Sequence, residues 1–205
     1  MNLYNENLDQ TWSEVDTFTI ERYNQFSQYI KGGQSILDIG CNTGRGGASL
    51  KRINPTFKLF GIELIKERID NIPSNIYELV FNDSIITATC NNLRFDAIIA
   101  GEVIEHIPKD LFMDMLHNCK KLLNEDGIIL FTTPNPNSVL VKLGRDSVFK
   151  DPSHVNIMSV NELKCVVQSC GLKIQSIKGS GKASRFLGYS FPLNLYGSYL
   201  TIISK

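Results

Sequence analysis

Charge of one sign is what this chain most plainly lacks: 21 basic residues stand against 21 acidic ones, with no run of five or more like charges. Such a chain offers no basic stripe for a phosphate backbone, which sets nucleic acid aside as a partner. Cysteine is sparse and carries no pairing pattern. The five present, Cys41, Cys90, Cys119, Cys165 and Cys170, are odd in number and contain no CxxC pair. Together with the absence of a signal-peptide pattern, this reads as a reduced, cytoplasmic protein whose cysteines serve packing. Uninterrupted apolar runs are missing too. Phe186 to Ile203 is apolar and aromatic, but Gly188, Pro192 and Gly197 break it, so an edge hairpin is expected rather than stable membrane insertion. No internal repeat or low-complexity tract occurs, and no residue set is assigned to a metal.

What remains is ordinary globular material, 205 residues with 42% hydrophobic and 20% charged, enough for a single domain over 1–205. Short apolar runs near 35–39, 57–62, 76–81, 95–100 and 128–133 alternate with segments of helical period, the pattern of a doubly wound α/β sheet. The clearest helix is Lys109 to Leu123, with Leu111, Phe112, Met115, Leu116, Cys119, Leu122 and Leu123 at spacings of three and four. A second runs from Asn161 to Cys170, with Ser159 as N-cap and Gly171 as stop. Strands near 172–178 and 198–204 are expected to form an antiparallel hairpin at the sheet edge. Residues 1–33 read as a helical cap, in which Trp12, Val15, Phe18, Tyr23, Phe26, Tyr29 and Ile30 pack over the ligand-binding edge. The cofactor core spans 34–134, and 135–205 supplies an acceptor loop, a helix and the hairpin.

The densest information lies in Ser35-Ile36-Leu37-Asp38-Ile39-Gly40-Cys41-Asn42-Thr43-Gly44. A buried strand breaks into a glycine-bearing turn that lets backbone approach a ligand where a Cβ would clash. About 20 residues on, Glu63 closes the next apolar run, placed to accept hydrogen bonds from two ribose hydroxyls. A dinucleotide site would carry Gly-x-Gly-x-x-Gly, and Asp38 would repel its pyrophosphate; beside an ammonium and a sulfonium a carboxylate is at ease.

These residues resemble the first motif of the class I S-adenosylmethionine-dependent methyltransferases, with Asn42 where that family usually has its middle glycine. Asn best tolerates the positive φ such a turn needs. The resemblance continues through Asn82-Asp83-Ser84, in the place of the adenine contact, and Gly101-Glu102-Val103-Ile104-Glu105-His106, which lies under the methionine part of the cofactor. It implies a Rossmann-like, seven-stranded, mostly parallel sheet with an antiparallel edge hairpin. It also implies an S-adenosylmethionine site built from Asp38, Gly40, Cys41, Asn42, Thr43, Gly44, Glu63, Leu64, Asn82, Asp83, Ser84, Gly101, Glu102 and Val103.

In an open sheet of this kind the acceptor binds beyond the carboxyl ends of the strands. There Thr132-Thr133-Pro134-Asn135-Pro136-Asn137-Ser138 opens a long aperiodic stretch, and Asn135, Asn137 and Arg145 are taken as acceptor contacts. No Asn-Pro-Pro-aromatic motif follows the fourth strand, which disfavours a flipped base. An alcohol acceptor benefits from a general base; His154 is preferred and His106 is the alternative, while His117 falls within the predicted helix. The expected activity is O-methylation of a small hydroxylated acceptor. A sugar or glycan of a bacterial surface polysaccharide is favoured, because Phe149, Phe186, Tyr189, Phe191 and Tyr196 offer stacking surfaces. A quinone or other small metabolite is the alternative acceptor, and a non-catalytic S-adenosylmethionine-binding module is a further one.

Overall fold

The computed structural model describes residues 16–205. Seven strands form one sheet: β1 (Ser35–Ile39), β2 (Lys58–Ile62), β3 (Leu79–Phe81), β4 (Phe95–Gly101), β5 (Leu123–Pro134), β6 (Lys173–Ser180) and β7 (Ser198–Ser204). Their order is β3-β2-β1-β4-β5-β7-β6. The neighbours from β3 to β5 pair parallel, and β7 pairs antiparallel with both β5 and β6. The last two strands do pair as expected, but not as a tight hairpin. The later strand is the inner one, and the earlier forms the edge.

Alternation along each strand sorts side chains between two layers. Leu37, Ile39, Ile98, Ala100, Ile129 and Phe131 face α4 (Lys109–Leu122) and α6 (Val160–Ser169), meeting Phe112, Met115, Leu116 and Leu163. Ile36, Ala97, Ile99 and Leu130 face the opposite layer, α1 (Thr17–Ser27) and α2 (Arg45–Ile53), through Tyr23, Phe26 and Leu50. Both faces are covered, which explains why β1 and β4 read as nearly continuous apolar runs. Within the 1–33 segment expected as a cap, Thr17–Ser27 form α1; Trp12 and Val15 lie outside the described residues.

The second predicted helix begins on a full capping box. Ser159 Oγ accepts from Glu162 N at 3.3 Å, and Glu162 Oε2 accepts from Ser159 N at 2.8 Å. Ser159→Ala is expected to cost about 0.5–2 kcal/mol, read as a lower urea midpoint with an unchanged m-value. A midpoint equal to that of the parent would show that tertiary packing alone holds the helix start. Among the described residues, no helix is long and apolar enough to cross a membrane.

Candidate active site

The strand order reverses between β1 and β4, and the crevice at their carboxyl ends is where a ligand fits in an open sheet. A cavity of about 530 Å³ opens there, within the range of small-ligand sites. The turn after β1 forms its floor. Gly40 has φ +65°, and a Cβ on it would meet Val103 Cγ2 at 2.8 Å, so only glycine lets the β1 turn and the β4 turn come this close. Asn42 takes φ 51° and settles that conformation with its own side chain, Oδ1 accepting from Thr43 N at 2.7 Å.

Glu63 lies at the end of β2, 6% exposed, and still lines the cavity. Its carboxylate is locked from both sides: Oε2 accepts from Asn42 N at 3.0 Å and Oε1 from Ile65 N at 3.0 Å. The anion thereby joins the two turns and keeps lone pairs for a ligand. Across the cleft, Glu102 adopts φ 56°, a left-handed conformation unusual for a residue other than glycine or Asn. Its Oε1 is buried without a hydrogen-bond partner, 3.7 Å from Arg22 Nε.

Of the residues assigned to the cofactor from sequence, Gly40, Cys41, Asn42, Glu63, Leu64, Asp83, Ser84, Gly101, Glu102 and Val103 line this cavity. Asp38, Thr43, Gly44 and Asn82 do not. Asp38 shares its face of β1 with Ile36, so its side chain turns into the α1/α2 layer. There it is fully buried and accepts from Tyr23 Oη at 2.7 Å and Tyr77 Oη at 2.6 Å. Burial drives its pKa up to about 7, against the pull of the two tyrosine hydroxyls. Asp38 thus pins α1 and the segment before β3 beneath the glycine turn. Gly46, on α2, exists for the same contact, since a Cβ there would collide with the Tyr23 ring. Asn82 is likewise occupied, its Nδ2 donating to the Glu63 and Leu64 carbonyls at 3.0 and 2.9 Å. Thr43 is buried, and Gly44 packs toward Ile72, Ile76 and Tyr77.

The acceptor-side assignments need more correction. Asn135 is 2% exposed and donates to the Leu193 and Tyr196 carbonyls at 2.8 and 3.1 Å, tying the end of β5 to the segment before β7. Asn137 and Arg145 are exposed and line no part of the cavity. The five aromatics form no stacking platform facing the cleft. Tyr196 is fully buried against Gly179, while Phe186 is 88% exposed, and none of the five lines the cavity.

The two candidate bases stand together, ring centroids 4.8 Å apart and edge to face. His106, in the short 3-10 turn Ile104–His106, lines the cavity, and His154 sits behind it. His106 Nδ1 faces the Ser153 carbonyl at 3.2 Å and His154 Nδ1 faces the Val148 carbonyl at 2.6 Å. A carbonyl only accepts, so each Nδ1 carries the proton and each Nε2 carries the lone pair. Burial, followed by the neighbouring His154, lowers the His106 pKa, which keeps its ring neutral near pH 7. Next to them Glu105 is fully buried, its carboxyl pushed well above the usual range by burial and by the Glu102 charge. Sequence reasoning gave Glu105 no role. His117 is exposed on α4.

A switch-point cleft of this construction, on a 3-2-1-4-5-7-6 sheet, defines the class I S-adenosylmethionine-dependent methyltransferase fold. The chain belongs to the methyltransferase domain family, whose model matches residues 11–177. It is similar to the ubiquinone biosynthesis O-methyltransferase of Actinobacillus pleuropneumoniae serotype 5b (strain L20), at 28% identity over 129 residues, 58% of this chain and 54% of that protein. The mitochondrial ubiquinone biosynthesis O-methyltransferase of Bos taurus is 28% identical over 167 residues, 72% of this chain and 43% of that one. The chain spans about half the length of the curated relatives it matches. Among solved structures, a SAM dependent methyltransferase from Archaeoglobus fulgidus superposes with a TM-score of 0.71 at 19% identity, covering 91% of this chain and 92% of that one.

The family's cofactor is S-adenosylmethionine, and the cavity fits it. Glu63 keeps acceptor capacity for a ribose diol, and Asp83 stands beside Ile85 and Ile86 where an adenine would lie. Glu102 Oε1, with no hydrogen-bond partner and 3.7 Å from Arg22 Nε, has acceptor capacity that would suit an ammonium. Glu63→Ala removes the carboxylate that ties both turns and is expected to meet the ribose, so the dissociation constant for S-adenosylmethionine is expected to rise about 10- to 150-fold, for a loss of about 1.5–3 kcal/mol. Isothermal titration of the folded variant checks this, and an unchanged affinity refutes the ribose assignment.

Proposed function

We propose that this protein transfers the methyl group of S-adenosylmethionine to a hydroxyl of a small aromatic acceptor of the quinone-precursor kind. The observation that carries the reading is the single cavity running from Glu63 and Asp83, past the Gly40 turn, to His106. One end suits a nucleoside and the other an acceptor that must lose a proton. The relatives' O-methyltransferase names favour a ring hydroxyl over the sugar expected from sequence, and none of the five aromatics taken as a sugar platform lines the cleft.

Bound S-adenosylmethionine supplies an electrophilic methyl on a sulfonium. The chain's residues then have two tasks. Glu63, Asp83 and Glu102 would hold the cofactor, and His106, backed by Glu105 and His154, would face the acceptor oxygen and its proton. The transfer would form one oxygen–carbon bond at the cost of the sulfur–carbon bond, and the hydroxyl proton would leave to His106 or to water. In-line positioning supplies most of the acceleration, since effective molarities reach about 10⁵ to 10⁸ M. All five cysteines are free, which suits a reduced compartment. Mass spectrometry of acceptor panels tests the reading: hydroxylated aromatic rings are expected to gain one methyl group, with S-adenosylhomocysteine formed in equal amount. Transfer to sugars alone would overturn the acceptor class.

A further inference from the structure

We propose that Arg185, in the segment between β6 and β7, is a positioning residue for the cofactor: through Glu21 and Phe18 it holds the first turns of α1 against the cleft and so sets how fast S-adenosylmethionine leaves. Phe18, Glu21 and Gln25 are spaced i, i+3 and i+7, which puts them on one face of α1. Toward that face the chain turns at Gly181, φ +87°, and brings up Lys182 and Arg185. Lys182 Nζ stands 4.6 Å and Arg185 Cζ 5.6 Å from the centre of the Phe18 ring, within cation–π range. Arg185 Nε also donates to Glu21 Oε1. Glu21 Oε2 is buried without a partner, so among the described residues this is the one hydrogen bond the carboxylate receives.

The next face of the same helix is cleft wall. Thr19, Arg22 and Tyr23 line the cavity. Arg22 lies over Gly101, where a Cβ would meet its Cδ at 2.7 Å, and its Nε stands 3.7 Å from Glu102 Oε1. Glu21 and Arg22 are neighbours in one helical turn, so whatever fixes Glu21 fixes the side from which Arg22 reaches the cleft.

The anchors of α1 differ along its length. Its later turns are held by buried groups: Tyr23 on Asp38, Phe26 in the core, and Gln25, 1% exposed, donating to the Gly179 carbonyl at 2.8 Å. Its earlier turns are tied by charged groups nearer solvent, Asp16 with Arg45 at 3.8 Å and Arg185 with Glu21 and Phe18. Contacts of that exposure are individually weak and are screened by salt. Such a helix start can open locally while the core stays folded. Arg185 reaches Glu21 from 164 residues away in the chain, which couples the 181–197 segment to the wall of the cofactor cleft.

The test is stopped-flow displacement of S-adenosylmethionine from the full chain with no acceptor present, and urea unfolding of the same preparations. Arg185→Ala is expected to raise the dissociation rate constant about 3- to 10-fold. The urea midpoint of the ligand-free chain is expected to stay at the parent's value, because the tie belongs to the helix start and not to the core. Glu21→Ala is expected to act alike, and the double variant to release the cofactor no faster than either single one, the mark of two side chains working as one pair. Arg185→Lys, which keeps a cation beside Phe18, is expected to remain within about twofold of the parent. Salt at about 1 M cuts the screening length to about 3 Å and is expected to speed release from the parent but not from Arg185→Ala. A parental rate in Arg185→Ala, losses that add in the double variant, or a rate change that follows a lowered urea midpoint each overturns the role. No acceptor enters the measurement, so this role and the acceptor class proposed above stand or fall in separate assays.

Discussion

His106→Ala is expected to lower the turnover number about 10²- to 10⁴-fold while leaving the dissociation constant for S-adenosylmethionine within about threefold. His106 lies at the end of the cavity away from Glu63, so its loss falls on the acceptor rather than on the cofactor. Removing the group that receives or prepares the hydroxyl costs rate and spares binding. Single-turnover kinetics and calorimetry on the same preparations give both numbers. His106→Asn, whose Nδ2 stands where Nδ1 meets the Ser153 carbonyl, separates chemistry from loop anchoring; restored turnover in that variant would reduce the imidazole to a tether. His154→Ala gives a further distinction, because His154 does not line the cavity. An equally deep fall there means the two rings share one task. A shallow fall leaves His106 to act as a base alone.

The second large effect concerns stability rather than rate. Asp38 in the native protein holds its proton up to about pH 7, raised chiefly by burial, from an ordinary value of 3.8. A raised native pKa means that the folded state binds the proton more tightly than the unfolded chain. Its contribution is therefore complete below about pH 4 and disappears as pH climbs through 7. Some three units correspond to about 4 kcal/mol as an upper bound. Asp38→Asn cannot titrate, so the stability of the parent relative to this variant should decline by up to that amount between pH 4 and pH 7.5 in urea unfolding of the ligand-free chain. The groups surrounding the carboxyl are Tyr23 from α1, Tyr77 from the segment before β3, and Cys41 and Glu63 at the carboxyl ends of β1 and β2. Both tyrosines and Cys41 are raised well above their usual values and so stay protonated across the window in which Asp38 titrates. A stability difference that stays flat with pH would contradict the assignment.

Strand periods, the turn chemistry of 40–44 and the long α4 pattern carried the sheet, because each depends on neighbours a few residues away. The N-cap at Ser159 was legible for the same reason, while the return bond from Glu162 came from the structure. The orientation of Asp38 was half legible: alternation with Ile36 puts it on one face, but that the face is closed by Tyr23 and Tyr77 depends on partners 15 residues before it and 39 after. Asn135 was misread because a polar loop composition does not reveal whether an amide faces solvent or carbonyls some 60 residues further on. The expected β3 began too early, since Ile76 follows a turn closed by its own N–H on the Pro73 carbonyl and packs toward α2 instead. Glu105 and His154 lie 49 residues apart, and only the docking of the 151–156 loop on the turn after β4 makes them neighbours.

The inner placement of β7 reaches beyond topology. Residues 181–197 leave the sheet at Ser180 and return at Ser198, two residues paired with each other, and β7 then lies beside the carboxyl end of β5 next to the cleft. Both ends of the excursion are therefore clamped by the same pair of strands. Closing a loop costs only about 0.6 kcal/mol more for each doubling of its length. A change of length within 181–197 is therefore expected to cost little in stability and to leave the pairing of the seven strands and the Glu63 end of the cleft as they are.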